Sequence, residues 1–149
     1  MLPAGGNIVV ITGDLREPWE LLKSPELKRV IDWGEPVALM FASVLHFVAD
    51  NENAKEILAI WREHVVPGSY LLVSHASPGE NPEGAARAAQ AWRRSRTPIY
   101  PRSPAEIQDF FVGCELVVTR ELVTTSEWGT DAVAAERQAV ILAALGRYC

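Results

Sequence analysis

The chain has 149 residues, of which 48% are hydrophobic and 22% are charged, and it carries a net charge of −5. One globular domain over residues 1–149 accounts for this length and composition, which exclude a disordered chain, a collagen-like fibre and a coiled coil. The negative charge disfavours a nucleic-acid partner, and the longest uncharged apolar run, residues 37–49, is shorter than the roughly 20 residues of a membrane span.

The first part of the chain predicts two buried strands with helical pieces between them. Residues 8–12 are β-branched and apolar on both faces, which is typical of a buried strand. Apolar residues recur at near-helical spacing from Pro18 to Ile31, and Ser24-Pro25 divides this helical region into two short pieces. Residues 37–45 are again apolar on both faces, as in a central parallel strand.

The middle of the chain predicts three helices and one strand. The segment from Asp50 to His64 has one apolar face and predicts a helix with Asp50 as its N-cap. Residues 69–74 predict a third strand, and an Ala-rich helix follows at about 83–95. Ser103 is expected to cap a short helix that has Pro104 at its first position and three apolar side chains on its buried side: Ile107, Phe110 and Phe111.

The last part of the chain predicts two further strands, at residues 115–119 and 138–145. They flank the segment 122–128 and a stretch, 129–136, that we expect to be disordered. Strands that alternate with helices predict an α/β fold with a mostly parallel sheet and right-handed crossovers. The two closing strands, which have no helix between them, predict an antiparallel hairpin.

Polar side chains follow three of the predicted strands. Ligands of open α/β sheets bind beyond the carboxyl ends of the strands, and these ends carry Asp14, His46 and His75. A carboxylate and two imidazoles are therefore predicted to converge where a cofactor would bind. Each also has a structural interpretation: Asp14 as a helix N-cap, His46 as a buried ring bonded to the backbone, and His75 as a loop-entry residue.

Other chemistries lack their motifs in this sequence. No Gly-x-Ser-x-Gly elbow, phosphate-binding Gly-x-x-x-x-Gly-Lys or Gly-x-Gly-x-x-Gly turn is present. Two cysteines, Cys114 and Cys149, make neither a disulfide framework nor a metal cluster, so we predict no metal site and a cytoplasmic location. The basic residues between Arg87 and Arg102 are interpreted as a solvated helix end rather than as a site for RNA or an acidic ligand.

Three segments carry a resemblance that covers nearly the whole chain: Gly13–Pro18 (GDLREP), Val44–Asp50 (VLHFVAD) and Pro67–His75 (PGSYLLVSH). In this order and spacing they resemble the actinobacterial S-adenosylmethionine-dependent methyltransferases, a family long described as a domain of unknown function. The resemblance implies a Rossmann-like sheet of seven strands that ends in an antiparallel hairpin and has helices on both faces. It also implies methyl transfer from S-adenosylmethionine to a small-molecule substrate.

The resemblance also implies roles for individual residues. Asp14 would accept a hydrogen bond from the adenine amine, with Gly13 and the Leu15 backbone beside it. Ala42, Ser43 and His46 would lie against the methionine and ribose portion of the cofactor. A sulfonium is already an activated leaving group, so positioning is the main requirement; if a substrate proton must leave, His75 and His46 are the candidate catalytic bases, because imidazole titrates near neutral pH.

The chain departs from the family at its beginning. In the family, a first strand, a glycine-rich turn and an acidic ribose-binding residue precede the matching segments, whereas residues 1–7 are too short for a βαβ unit of about 30 residues. We therefore expect the C-terminal portion of a methyltransferase domain. Strand 8–12 would then either pair with strand 37–45 and give a five-stranded sheet, or leave an open edge through which the chain forms a homo-oligomer.

Two functions from different classes remain open. The chain is the C-terminal portion of a small-molecule methyltransferase, or it is a degenerate, non-catalytic module that acts through its exposed sheet edge in oligomerisation or partner binding. A nucleotide-binding domain of another kind is a third interpretation. Three aromatic residues in predicted loops either line an acceptor pocket or cover the core: Trp92, Tyr100 and Trp128.

Overall fold

Short helices and strands alternate along the chain. The structure is a computed structural model that describes residues 8–78, 97–118, 121–125, 127–128 and 140–149, and positions 83, 86, 87 and 90. The helices are α1 (Pro18–Lys23), α2 (Pro25–Val30), α3 (Ala54–Arg62) and α4 (Pro104–Gln108), with 3₁₀ turns at Leu45–Phe47, Asp50–Glu52 and Asp109–Phe111. The strands are β1 (Ala38–Ala42), β2 (Tyr70–Ser77), β3 (Cys114–Leu116), β4 (Val123–Thr124) and β5 (Val140–Tyr148).

The strands form one sheet in the order β1-β2-β5-β3, and β4 also pairs with β5. β1 and β2 are parallel, with Phe41 opposite Val73. β5 runs antiparallel to β2 along the whole of that strand, and antiparallel to β3 and β4. The predicted antiparallel pairing of the last two strands is therefore confirmed, while parallel pairing among the described strands is confined to β1 and β2.

The hydrophobic core lies on one face of the sheet. Inward-facing side chains of β1, β2 and β5 alternate along each strand, as the two-residue period of a strand requires, and meet the apolar faces of α3, α4 and the turn after α4. These core residues are Phe41, Leu71, Val73, Leu142, Ala144, Ile57, Leu58, Ile107, Phe110 and Phe111. The core anchors the elements whose carboxyl ends form the site described below.

Local sequence signals set the starts of two short helices as predicted. The Ser24 hydroxyl accepts a hydrogen bond from the Leu27 N–H at the start of α2, which separates α2 from α1. Ser103 and Glu106 form a reciprocal capping box around Pro104 at the start of α4. These caps bind backbone N–H groups that the first helical turn leaves without partners.

Residues 8–12 do not form the predicted strand, and this prediction is wrong. They have no regular secondary structure and no sheet pairing, and Val10 is 91% exposed. An apolar run becomes a strand only where neighbours supply hydrogen bonds and cover its side chains, and among the described residues no strand pairs with the outer edge of β1. Of the two alternatives for this strand, pairing of 8–12 with 37–45 is therefore wrong, while oligomerisation through an open edge stays a prediction.

Several predicted boundaries shift because of two left-handed residues and one long pairing. β1 ends at Ala42 because Ser43 adopts a φ of 53°, and α3 begins after Asn53, whose φ is 48°, rather than at Asp50. β2 extends to Ser77 because β5 pairs with its full length. The helix predicted at 83–95 is helical at its described positions; the rest of it and the stretch 129–136 lie outside the described residues.

Candidate functional site

A groove of about 420 Å³ lies at the carboxyl end of β1. Three chain segments form its walls: the loop before α1, the turn after β1, and the segment that leads to α4. Its lining residues are Asp14, Leu15, Arg16, Val44, Phe47, Val48, Ala49, Glu52, Thr97, Pro98 and Tyr100. This is the edge at which an open α/β sheet binds ligands, so the groove is the candidate functional site.

An ion-pair chain joins two walls of the groove. Arg16 Nη2 lies 2.6 Å from Asp14 Oδ2, and Arg16 Nη1 lies 2.8 Å from Glu52 Oε1. The other carboxylate oxygen of Glu52 accepts the Ala49 N–H at 2.7 Å. The loop before α1 is thereby connected to the backbone that follows β1.

The carboxylate of Asp14 is already bound by its neighbour. Oδ1 accepts from the Arg16 backbone N–H and from Nε, both at 2.9 Å, while Oδ2 accepts from Nη2 and, at 3.1 Å, from Nε. These bonds lower the pKa of Asp14 to about 2. Asp14 does not cap α1, whose N-cap is Glu17; a ligand amine must share its oxygens with Arg16 or displace that guanidinium.

Apolar surface accompanies this charged end of the groove. Phe47 and Val44 are 39% and 38% exposed, and both line the groove beside Asp14. Tyr100 lines the opposite wall and its backbone N–H donates to His46 O at 2.7 Å. A flat heteroaromatic ring needs such a combination of apolar walls and a few polar groups at one edge.

Three residues predicted to contact the cofactor lie beside the groove rather than in its lining. Gly13 faces the Leu21 side chain, which a Cβ at this position would contact too closely. Ala42 and Ser43 end β1, and Ser43 donates its N–H to Ser74 Oγ at 2.9 Å. Among the residues predicted to bind the cofactor, Asp14 and Leu15 line the groove.

His46 is buried behind the groove. Its Nδ1 accepts the Ala76 N–H at 3.4 Å, and its ring packs edge-on against Phe47. Burial, aided by the nearby charge of Arg102, lowers the pKa of His46. This geometry matches the structural interpretation of His46, a buried ring bonded to the backbone.

His75 lies within β2 and is fully buried, at 0% exposure, so its interpretation as a loop-entry residue is wrong. Nε2 lies 2.8 Å from Arg102 Nη1, and Nδ1 lies 2.8 Å from Ala76 O. Since a guanidinium can only donate, Nε2 is the acceptor and Nδ1 carries the proton. Burial is the main cause that lowers the pKa of His75, to about 4, so the ring is neutral at physiological pH.

Arg102 is the residue that sequence reasoning missed. Its side chain is buried, in contrast to the solvated basic cluster with which the sequence groups it. Nη1 and Nη2 donate to Leu45 O and Val48 O at 3.1 and 3.0 Å, and the guanidinium lies 5.8 Å from the centre of the Phe110 ring. No periodicity or motif marks this position, because its partners are backbone carbonyls distant in sequence.

Two of the three aromatic residues predicted in loops lie within the described residues. Tyr100 lines the groove, Trp128 is partly buried, and Trp92 lies outside the described residues. Within the described part of the chain, no three His, Cys, Asp or Glu side chains cluster as ligands of a metal ion would. The helices of the described residues include none with the length and apolar character of a membrane span.

A Rossmann-like α/β sheet with a groove at the carboxyl end of its parallel pair belongs to the class of open α/β domains, whose ligands bind beyond the carboxyl ends of the strands. A family model described as S-adenosyl methyltransferase matches residues 3–148. The chain belongs to this family, as the three sequence segments indicate.

Two solved structures share the fold. A DUF574 family protein from Streptomyces avermitilis is 30% identical with a TM-score of 0.84, over 93% of this chain and 54% of that protein. A candidate methyltransferase from Thermobifida fusca is 27% identical with a TM-score of 0.82, over 93% of this chain and 53% of that protein. The chain thus spans about half the length of these neighbours. No curated protein matches it.

Proposed function

We propose that the groove binds the adenine end of S-adenosylmethionine and that the chain is part of a methyltransferase acting on a small molecule. The observation that carries this proposal is the juxtaposition of the Asp14 carboxylate with the exposed apolar surface of Phe47 and Val44. The walls would hold the purine ring, and the carboxylate would accept from its exocyclic amine. The family to which the chain belongs supports the same cofactor.

The cofactor would supply a methyl group on a positively charged sulfur. Asp14 and the apolar walls of Phe47 and Val44 would hold the nucleoside end of that cofactor, and the activated methyl group would be available to an acceptor atom of the substrate. The chain's own contribution is to bind and orient the nucleoside end of the cofactor. The net charge of −5 favours a small molecule over a nucleic acid as the acceptor.

The catalytic roles predicted for His46 and His75 receive little support from their geometry. Both rings are buried, and each hydrogen-bonds within the protein. We propose that a substrate proton, where one must leave, passes to water rather than to either ring.

Calorimetric titration of the purified chain with S-adenosylhomocysteine tests the proposal. We expect a Kd tighter than about 100 μM, equivalent to about −5.5 kcal/mol. The same titration with the 6-oxo analogue, S-inosylhomocysteine, should show binding weaker by about tenfold or more, because it replaces the donor amine with an acceptor. Absence of heat with both ligands would overturn the proposal.

Two variants test whether the Asp14 carboxylate recognises the adenine amine. Asp14→Ala should bind S-adenosylhomocysteine weakly and lose the discrimination against the 6-oxo analogue. Glu20→Gln is the matched control, since Glu20 is an exposed carboxylate that pairs with Lys23 on α1, outside the groove lining. Retained discrimination in Asp14→Ala would show that another group recognises the amine.

A second candidate function, a non-catalytic module, rests on the edge of the sheet. Among the described strands β1 is an edge strand, the register directs the backbone groups of Met40 away from β2, and the Met40 side chain is 66% exposed. An open apolar edge can pair with the same edge of a second copy. Sedimentation velocity tests this: the module predicts a dimer that Met40→Lys converts to a monomer, whereas a monomeric wild type contradicts it.

A further inference from the structure

The turn after β1, which forms one wall of the groove, is bound by the buried side chain of Arg102. Phe47, Val48 and Ala49 line the groove; Phe47 ends the 3₁₀ turn Leu45–Phe47, and Val48 and Ala49 follow it. The carbonyls of Leu45, at the start of this turn, and of Val48, directly after it, accept from the two terminal nitrogens of Arg102. One planar guanidinium thus fixes two carbonyls that lie three residues apart.

The segment that carries Arg102 also forms the opposite wall. Thr97, Pro98 and Tyr100 line the groove, and the Tyr100 N–H donates to His46 O. The Arg102 backbone N–H donates to Ala76 O at 3.0 Å, which connects the same segment to the end of β2. Arg102 therefore lies where the two walls and the sheet meet.

The groups that surround the buried guanidinium of Arg102 are mostly neutral. Within the described part of the chain it pairs with the carboxylate of Asp50, whose Oδ1 is 3.6 Å from Nη2 on a side chain that is 82% exposed. Carbonyl oxygens, the neutral His75 ring and the face of Phe110 provide the remaining contacts. Burying a cation with so little direct ion pairing is unfavourable for folding. A role of Arg102 in fixing the position of the turn after β1 would account for this unfavourable burial.

We propose that Arg102 is a positioning residue that holds the turn after β1 against the 97–102 segment and so sets the shape of the cofactor groove. Lysine cannot replace it, because a single ammonium lacks the planar fork that reaches both carbonyls. The part of this inference that concerns the ligand rests on the function proposed above. The part that concerns the turn can be measured without any ligand.

Amide hydrogen exchange of the ligand-free protein tests the positioning role. In Arg102→Lys and Arg102→Met, the Phe47, Val48 and Tyr100 amides should exchange about tenfold faster or more, while the amides of α3 keep their wild-type rates. Leu58→Ala is the control, because it removes a buried side chain of α3 that does not line this groove. It should accelerate exchange broadly rather than in the turn alone.

Titration with S-adenosylhomocysteine completes the test. If the wild type binds, the two Arg102 variants should bind about tenfold more weakly or worse, whereas Leu58→Ala should keep its affinity while folded. Unchanged affinity in folded Arg102 variants would overturn the positioning role. If the wild type does not bind, the cofactor proposal fails, and the exchange rates alone decide whether Arg102 holds the turn. Unchanged amide exchange rates in the turn, or equal acceleration of the α3 amides, would refute the positioning role of Arg102.

Discussion

Arg16 donates to both carboxylate oxygens of Asp14, with Nη2 2.6 Å from Oδ2 and Nε 2.9 Å from Oδ1. The residue best placed to recognise an adenine amine is thus paired with a cation from its own loop. This pair lowers the pKa of Asp14 from 3.8 to about 2, so the carboxylate stays ionised to a lower pH than an unpaired aspartate would. A ligand that binds the Asp14 carboxylate must also share its oxygens with Arg16 or displace the guanidinium.

We predict that Arg16→Gln raises the pKa of Asp14 from about 2 towards its ordinary value of 3.8, because the variant removes the guanidinium bonds that stabilise the carboxylate. Carbon-detected NMR titration of the Asp14 carboxyl measures this shift. Lys23→Gln is the control, since Lys23 pairs with Glu20 instead. Titration of Asp14 at about 2 in Arg16→Gln would contradict the assignment.

We predict that the free energy of unfolding falls as the pH is lowered from 6.5 to about 4. The folded state keeps His75 neutral, whereas the unfolded chain binds a proton near pH 6.5, so protons favour unfolding in this window. The contribution from His75 is at most about 3 kcal/mol, and His46 acts in the same direction.

Urea unfolding at a series of pH values measures this effect. His75→Leu should flatten the dependence between pH 6.5 and 4, while its stability at pH 7 falls because Arg102 loses an acceptor. The control is His64→Gln, which removes a partly buried ring just beyond the end of α3 that is bonded to Ile60 O. A slope unchanged by His75→Leu would mean that another group binds the proton.

We predict that Gly146→Ala destabilises the fold by about 1–3 kcal/mol through overpacking. A Cβ at this position in β5 would lie 2.7 Å from Cys114 Cβ and 2.9 Å from Phe111 Cδ1, both in packed surroundings. Gly34→Ala is the control, because its new Cβ would meet only a movable Asp32 oxygen. Equal denaturation midpoints for the two variants would rule out the close packing at β5.

We predict that Ser103→Ala lowers stability by about 1 kcal/mol, because it removes the acceptor for the Glu106 N–H at the start of α4. Ser103→Thr should recover most of the loss, since threonine is also a favourable N-cap and keeps the hydroxyl that donates to Glu106 Oε2. Thermal unfolding of the three proteins gives the comparison. A Ser103→Thr variant as unstable as Ser103→Ala would exclude capping as the cause.

The sequence predicted those elements whose signals are local. Ser103-Pro104 marked the start of α4, Ser24-Pro25 separated α1 from α2, and the apolar runs located β1 and β2. It did not predict that residues 8–12 lie outside the sheet, because a strand depends on a neighbour that no local pattern reveals. The Rossmann-like α/β class and the methyltransferase family followed from the three segments and are confirmed.

The site was predicted less completely than the fold. Asp14 and Leu15 line the groove, Ala42 and Ser43 lie outside its lining, and both histidines are buried, so the predicted cofactor contacts stay predictions. Arg102 could not be found from its sequence neighbours, since its partners are carbonyls of Leu45 and Val48. Backbone acceptors have no residue-type signature, and their recognition requires the folded chain.

The position of β5 has a consequence for biosynthesis. β5 is the last strand in chain order, yet it lies between β2 and β3 and also pairs with β4. During synthesis from the amino end, the edge of β2 that faces away from β1 stays uncovered until residues 140–148 have been made. The sheet therefore closes late and through contacts that are distant in sequence, a topology that slows folding.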